Sequence, residues 1–284
     1  MSGRWFVALQ HLLPQHGLSR LVGGAARSRL LARPLIRAFV AGFRPDMSDA
    51  LEADPLAYPT FNEFFTRALR PGTRPLPADP AALACPVDGT VSMGGPIVDG
   101  QLLQAKGRSF ALQELLAGND ALAARYAGGS FLTLYLAPCN YHRIHMPADG
   151  VLADAWFVPG RLFSVNRVTA AGVPRLFARN ERVVCSFGST RGPFAVILVG
   201  ALNVGSMDTV WHGPVAPAAQ RKVTQLAPRP ALAPLSRARG DELGRFNLGS
   251  TVILLFARDA VELASHLQAG RAVRMGEFIG RWRT

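Results

Sequence analysis

Long apolar runs are missing from this 284-residue chain, and no stretch approaches the ~18–20 residues of a transmembrane helix. The most apolar stretches, residues 131–138 and 195–202, have the length of buried strands. Cysteine is scarce: Cys85, Cys139 and Cys185 are odd in number and lack CxxC spacing. That excludes a disulfide scaffold, argues against structural zinc and suits a reducing compartment. The N-terminus lacks a short apolar core followed by a small-residue cleavage site, so no secretory leader is expected. Charged residues make up only 18% against 49% hydrophobic, which excludes general disorder. There is no internal repeat and no low-complexity tract. Also absent are HExxH, a P-loop, a GxSxG elbow and a glycine-rich dinucleotide loop.

Acidic residues are few, 19 against 31 basic, and the imbalance is local. Residues 1–45 hold seven arginines (Arg4, Arg20, Arg27, Arg29, Arg33, Arg37, Arg44) and no acid. Residues 221–245 hold six basic residues against Asp241 and Glu242. Two basic segments on a near-neutral body point to an anionic surface as partner. At 100° per residue, Arg29, Arg33, Arg37 and Arg44 fall in an arc of about 80°, with Leu31, Leu35 and Phe39 on the other side and Ile36 and Phe43 along its edge. Upstream, Trp5, Phe6, Val7, Leu9, Leu12 and Leu13 form a bulky apolar face that ends at Pro14. Basic helices of this kind suit the interface of an anionic leaflet. The same pattern also suits a helix packing on its own domain, or an Arg-rich presequence. Nucleic acid is disfavoured, because neither segment interleaves stacking aromatics in a recognisable module.

After Phe43 the character changes. Pro45, Pro55 and Pro59 break helices, and the first acids appear at Asp46, Asp49, Glu52 and Asp54, which places a boundary near residue 47. Thr60 with Glu63 three residues later predicts a capped short helix. Residues 71–80 form a proline-rich connection. Strands are expected at 91–98, 131–137, 151–158, 183–187, 194–204 and 251–256, and a helix at 112–124. Residues 212–240 read as a long mobile loop. The body is mostly β with a few helices.

Three segments carry residues capable of chemistry. In the first, residues 85–91, Asp88-Gly89 lies between strand-like runs and has the composition of a simple turn. In the second, residues 140–147, His142 and His145 lie three apart beside Arg143. No further His, Cys or Glu cluster completes a metal site around them, so no metal is expected. General acid–base work suits them better. In the third, residues 246–256, Gly249-Ser250 precedes a buried apolar run, where Gly-Ser is ordinarily a turn entering a strand. It is also a dipeptide at which a chain can cut itself. The serine hydroxyl attacks the preceding carbonyl to give an ester, and elimination then yields dehydroalanine, which hydrolyses to a pyruvoyl group and ammonia. Serine needs an oriented base for this.

These residues lie in an ordered set of motifs that closely resembles the bacterial type of the phosphatidylserine decarboxylase family. The set is TFNEFFTRALRPGTRP (60–75), PVDGTV (86–91), QAKG (104–107), YHRIHMP (141–147), LFSVN (162–166), LFARNERVV (176–184) and GRFNLGSTV (244–252). LGST alone would be weak; the ordered set is specific. One departure is Arg239-Gly240, where relatives usually have Lys-Gly. The resemblance implies an α+β fold, predominantly antiparallel β, with a barrel-like or sandwich catalytic body and N-terminal amphipathic helices. It implies a membrane-associating segment over 1–47 and a catalytic domain over 48–284, self-cleaved between Gly249 and Ser250 into chains 1–249 and 250–284. Asp88, His145 and Ser250 correspond to the processing triad: Asp88 orients the imidazole, His145 takes the proton and Ser250 attacks. His142 corresponds to a histidine of the decarboxylation step, and spacing alone leaves the two histidine roles exchangeable.

The implied cofactor is a covalent pyruvoyl group made from Ser250. Its carbonyl condenses with the amine of phosphatidylserine and accepts the electrons left by CO₂, as pyridoxal phosphate does elsewhere. The implied enzyme is a carboxy-lyase that forms phosphatidylethanolamine. It is expected as a homodimer, peripheral on the cytoplasmic side of the inner membrane, with no nucleic acid partner. Arg143, Lys106 and the 221–245 loop are candidates for the head-group phosphate. Since processing is intramolecular, it is expected to need only the body, not residues 1–45. Rival readings are a decarboxylase of a soluble amino acid, a serine hydrolase using Ser250 intact, and a non-enzymatic anionic-surface binder.

Overall fold

The computed structural model describes residues 3–202, 206–215, 222–226, 235–247 and 250–283. Three helices come first: α1 (Gly3–Leu12), α2 (Gln15–Ala26) and α3 (Ala32–Phe43). Pro14 divides the first two because it lacks an N–H and cannot continue α1. α4 (Phe61–Phe65) starts where the capping pattern predicts: the Thr60 hydroxyl oxygen accepts from the Glu63 N–H at 3.1 Å. Strands β1 (Ala82–Ala84), β2 (Gly89–Pro96), β3 (Gln101–Ala105) and β4 (Arg108–Ala111) follow. The single helix expected over 112–124 is two, α5 (Leu112–Leu115) and α6 (Asp120–Tyr126). The break falls where Ala117 and Gly118 take φ of 60° and 77° and Asn119 caps the second helix by accepting from the Leu122 N–H.

Next come β5 (Ser130–Leu136), β6 (Arg143–His145), β7 (Gly150–Val158), α7 (Arg167–Gly172) and α8 (Leu176–Arg179). They are followed by β8 (Arg182–Gly188), β9 (Phe194–Val199), β10 (Met207–Thr209) and β11 (Gly213–Pro214). The strand expected over 194–204 thus ends at Val199, and residues 203–205 lie outside the described residues. The expected loop over 212–240 contains β11, β12 (Thr224–Gln225) and β13 (Ser236–Arg237), the last two paired with β7. Its residues 216–221 and 227–234 lie outside the described residues. The chain finishes with β14 (Glu242–Phe246), β15 (Ser250–Phe256), β16 (Val261–Leu263), β17 (Ala272–Val273) and β18 (Phe278–Trp282).

The fold is α+β with antiparallel sheets. The largest sheet runs β12-β7-β8-β9-β15-β5-β2-β17, with β13 also on β7. Its end strands do not pair with each other among the described residues, so it is not a closed barrel. β9 and β15 are buried along their whole length, which requires cover on both faces and gives the body its sandwich character. Part of that cover is the small sheet β1-β18-β16, whose Trp282 packs edge-on against Phe194 of β9 and Phe256 of β15. A third sheet, β11-β10-β14-β6, carries His145 on its edge strand β6, with His142 just ahead of that strand.

The N-terminal helices pack on this body in two ways. The apolar face of α3 is covered: Ile36 is buried, and Phe39 meets Phe61, Phe64 and Phe65 of α4 edge-on. α1 and α2 instead turn polar and small residues inward. Gln10, Gln15 and Ser19 are buried, and the two glutamine carbonyls accept from the backbone N–H groups of Ser164 and Leu162 at 2.7 and 2.9 Å. Their large apolar residues face out, with Trp5 73%, Leu12 83% and Leu21 74% exposed. Leu30, between α2 and α3, is 92% exposed.

Candidate active site

The C-terminal end of β5 is the spine of the site. On one side Thr90 of β2 lies opposite Tyr135; on the other, Ser250 and Thr251 of β15 lie opposite Leu136 and Tyr135. β2 and β15 flank β5, which brings Asp88, just ahead of β2, and Ser250, first in β15, to the same end of the sheet on either side of β5. Gly89 permits this approach. A Cβ there would sit 2.5 Å from the Tyr135 carbonyl oxygen, so the Asp-Gly pair marks a close strand contact more than a turn. The histidines arrive from the neighbouring sheet. β6 runs antiparallel to β14, with His145 opposite Glu242, and the Phe246 N–H donates to the His142 carbonyl at 3.0 Å. The same β14 leads through residues 247–249 into Ser250, so the histidines line the strand that delivers the serine. Gly249 lies outside the described residues.

Ser250 is fully buried, and its hydroxyl has no hydrogen-bond partner among the described residues. His145 is nearly buried with both ring nitrogens engaged. Nδ1 faces the Gly240 carbonyl at 2.7 Å and therefore carries the proton, which leaves Nε2 to accept from the Tyr141 hydroxyl at 2.8 Å. Burial holds its pKa below the ordinary value of 6.5, against the opposing pull of the Gly240 carbonyl, Glu242 and Asp88. The ring is thus neutral at neutral pH, as a general base must be. His142 is fully buried under Phe65, with Nδ1 on the Asn140 carbonyl at 2.8 Å and Nε2 without a partner among the described residues. Burial pushes its pKa down to about 3.

The Asp88 carboxylate accepts from Arg74 Nη2 at 2.8 Å and from the Met275 N–H at 2.8 Å. Arg74 also pairs with Asp49. Burial depresses the Arg74 pKa, but the carboxylates of Asp88 and Asp49 outweigh it and raise the value above the usual arginine range. Asp88, His145 and Ser250 thus occupy one region without a direct hydrogen bond among them. The imidazole is oriented by the Gly240 carbonyl. Asp88 is tied to the histidine through the backbone, since the His145 N–H donates to the Pro86 carbonyl at 2.9 Å. Beside Asp88 lies a cavity of about 170 Å³, lined also by Arg67, Arg74, Asn140, Tyr141 and Arg274.

Three contributors had no role assigned from the sequence. Tyr141 sits in the YHRIHMP motif, four residues before His145. Arg74 lies in the proline-rich connection, where only its motif membership drew notice. Gly240, at φ 89°, belongs to the turn flagged by the unusual Arg239, whose guanidinium holds the carbonyls of Pro77, Asp79 and Ala82 at 2.6–2.8 Å. Of the head-group candidates, Arg143 is occupied by the Thr66 carbonyl and Glu242, and Lys106 lies exposed in the turn between β3 and β4.

A family model described as phosphatidylserine decarboxylase matches residues 61–281. The chain belongs to the phosphatidylserine decarboxylase family. A second model, described as PSD, matches residues 5–44, the N-terminal helices. Phosphatidylserine decarboxylase proenzymes of Pseudomonas putida strain GB-1 and Pseudomonas entomophila strain L48 are each 52% identical over 98% of both chains. The phosphatidylserine decarboxylase proenzyme of Ectopseudomonas mendocina strain ymp is 51% identical over 99% of both. Family membership therefore spans the helices as well as the body.

Proposed function

We propose that the chain is a proenzyme that cuts itself between Gly249 and Ser250 and then decarboxylates phosphatidylserine to phosphatidylethanolamine and CO₂. The observation that carries the reading is Ser250: a hydroxyl fully buried at the start of a central strand, with no hydrogen-bond partner among the described residues. With no hydrogen bond among the described residues to give up, that hydroxyl is free to act as the nucleophile.

In this reading the Ser250 oxygen attacks the Gly249 carbonyl while His145 Nε2, freed from Tyr141, takes the hydroxyl proton and passes it to the departing Ser250 nitrogen. The C–N bond breaks and an ester forms. Loss of the Ser250 α-proton then expels the Gly249 carboxylate, and water converts the resulting dehydroalanine to a pyruvoyl group and ammonia. Asp88, fixed by Arg74, raises the basicity of His145 through its charge. The position of Ser250 suits a covalent group, because a central strand holds it in place. When formed, the pyruvoyl carbonyl supplies the electron sink that loss of CO₂ from an amino acid requires. His142, in the role given it here, lines the decarboxylation site.

Residues 1–47 form the membrane-associating segment in this reading, a peripheral one. No helix among the described residues is long and apolar enough to cross a membrane. Support comes from the outward apolar residues Trp5, Leu12, Leu21 and Leu30, with Arg20, Arg27, Arg29, Arg33 and Arg37 exposed along the same helices. The test is a denaturing gel with intact mass, together with product analysis on phosphatidylserine vesicles. Pieces of 249 and 35 residues, the smaller beginning with pyruvoyl, are expected. An uncut chain that is active, or a cut chain inert on the lipid, overturns the reading.

A further inference from the structure

Asn247 stands two residues ahead of Gly249, and its side chain is held from one end. Its Nδ2 donates to Asp208 Oδ1 at 2.9 Å and to Ser206 Oγ. Its backbone N–H donates to the Ser206 carbonyl at 2.9 Å. Asn247 is 2% exposed, yet its Oδ1 has no partner among the described residues. Ser206, equally buried, uses its whole hydroxyl: it donates to Asp208 Oδ1 at 3.2 Å and accepts from Asn247 and from Arg27 Nη2 at 3.0 Å. Arg27 caps the C-terminus of α2. A continuous line of hydrogen bonds therefore runs from the N-terminal helices to the residues just before the proposed cut.

Asn247, Ser206 and Asp208 form a hydrogen-bonded clamp at the end of β14. What it does well is fix direction. The amide is pinned by two acceptors and the backbone by a third bond, so Asn247 fixes the course of the chain at the end of β14. Intramolecular attack depends steeply on that course, with a shift of about 1 Å costing roughly a hundredfold. We propose that Asn247 is a positioning residue for self-cleavage, held by Ser206 and Asp208, and that Arg27 ties this clamp to α2. The inference rests on the reading that Ser250 attacks Gly249. It makes the N-terminal helices part of processing, where the sequence alone confined processing to the body.

The test follows cleavage of freshly made full-length chain on gels from pH 5 to 8, with each rate taken relative to wild type at the same pH. Asn247→Ala is expected to slow cleavage about 10- to 100-fold. Asn247→Asp sets a second carboxylate against Asp208, so its deficit should be deepest at pH 8 and shrink as the pH falls. The double variant Asn247→Asp with Asp208→Asn exchanges amide and carboxylate and should cleave within about threefold of wild type. Arg27→Ala should slow cleavage about threefold, with the melting temperature unchanged on the Ser250→Ala background. If wild type is not cut at Gly249–Ser250, the functional reading fails instead. If wild type is cut and both single Asn247 variants keep pace with it, the clamp is refuted. Should Asn247→Ala not fold, the exchange decides: a double variant as slow as Asn247→Asp alone refutes the clamp. Wild-type cleavage by Arg27→Ala refutes the tie to α2.

Discussion

The Tyr141 hydroxyl donates to His145 Nε2 at 2.8 Å while the opposite nitrogen of the same ring donates to the Gly240 carbonyl. The phenol therefore stabilises the neutral imidazole, and the carbonyl favours its protonated form. Cleavage by a neutral base is lost as pH falls through the pKa of His145, which burial holds below the ordinary histidine value. Tyr141→Phe removes a donor to the neutral form, so the acid limb of the cleavage profile should move to higher pH. Glu242→Gln removes a negative charge that favours the imidazolium and should move it lower. A pulse-chase cleavage assay across pH 4–8 measures both, and parallel shifts in the same direction would contradict the assignment of His145 as base.

Ser250→Ala should abolish cleavage and decarboxylation together, because alanine has neither a hydroxyl to attack nor a precursor of the carbonyl. Intact mass and product formation on one preparation provide the check. A cleaved and active Ser250→Ala protein would end the pyruvoyl reading.

His145→Ala and Asp88→Asn should both accumulate full-length precursor. The first removes the base entirely. The second keeps the shape of the side chain but removes the charge that binds Arg74 and supports the imidazolium, so it should be the milder. Precursor fractions on a gel decide the order, and normal cleavage in both would return these residues to a structural role.

Glu181 gives a prediction about stability. Burial raises its pKa from an ordinary 4.5 to about 7, and it is only 4% exposed with no ion pair among the described residues. Between those two values the unfolded chain gives up the proton and the folded chain keeps it, so stability falls as pH rises, by about 3 kcal/mol in all. Glu181→Gln should melt higher than wild type at pH 8 and gain nothing at pH 4. Thermal melts at the two pH values would show a constant difference if the carboxyl were unperturbed.

Replacing Trp5, Leu12 and Leu21 with serine should weaken binding to anionic vesicles while leaving the body folded, since these side chains point outward. Salt should weaken the rest, because each arginine contributes about 1 kcal/mol within a Debye length of the surface. Co-sedimentation with and without salt separates the apolar and charged contributions.

Much of this molecule was legible before any coordinates. The strands at 131–137, 151–158 and 183–187 follow from apolar runs between turn residues, and the Thr60–Glu63 cap from a local hydrogen bond that three-residue spacing allows. Ser250, His145, His142 and Asp88 stand out through the family motifs they sit in, and the roles proposed for them rest on that resemblance. These are local signals, carried by residues close in the chain. The helix over 112–124 misled because its periodicity continues through Ala117 and Gly118, whose left-handed backbone shows only in three dimensions.

What orients each group was decided by tertiary structure. The imidazole is held by Gly240, 95 residues away, and Asp88 by Met275, 187 residues away. Both partners are backbone groups, which every residue carries and no side-chain pattern can mark. The N-terminal helices show the same division. Their sequence determined that one face is apolar and basic charge surrounds it. Only the folded chain decided which face would be spent on the body, because Gln10 and Gln15 found backbone donors at Ser164 and Leu162 that a helical wheel does not contain.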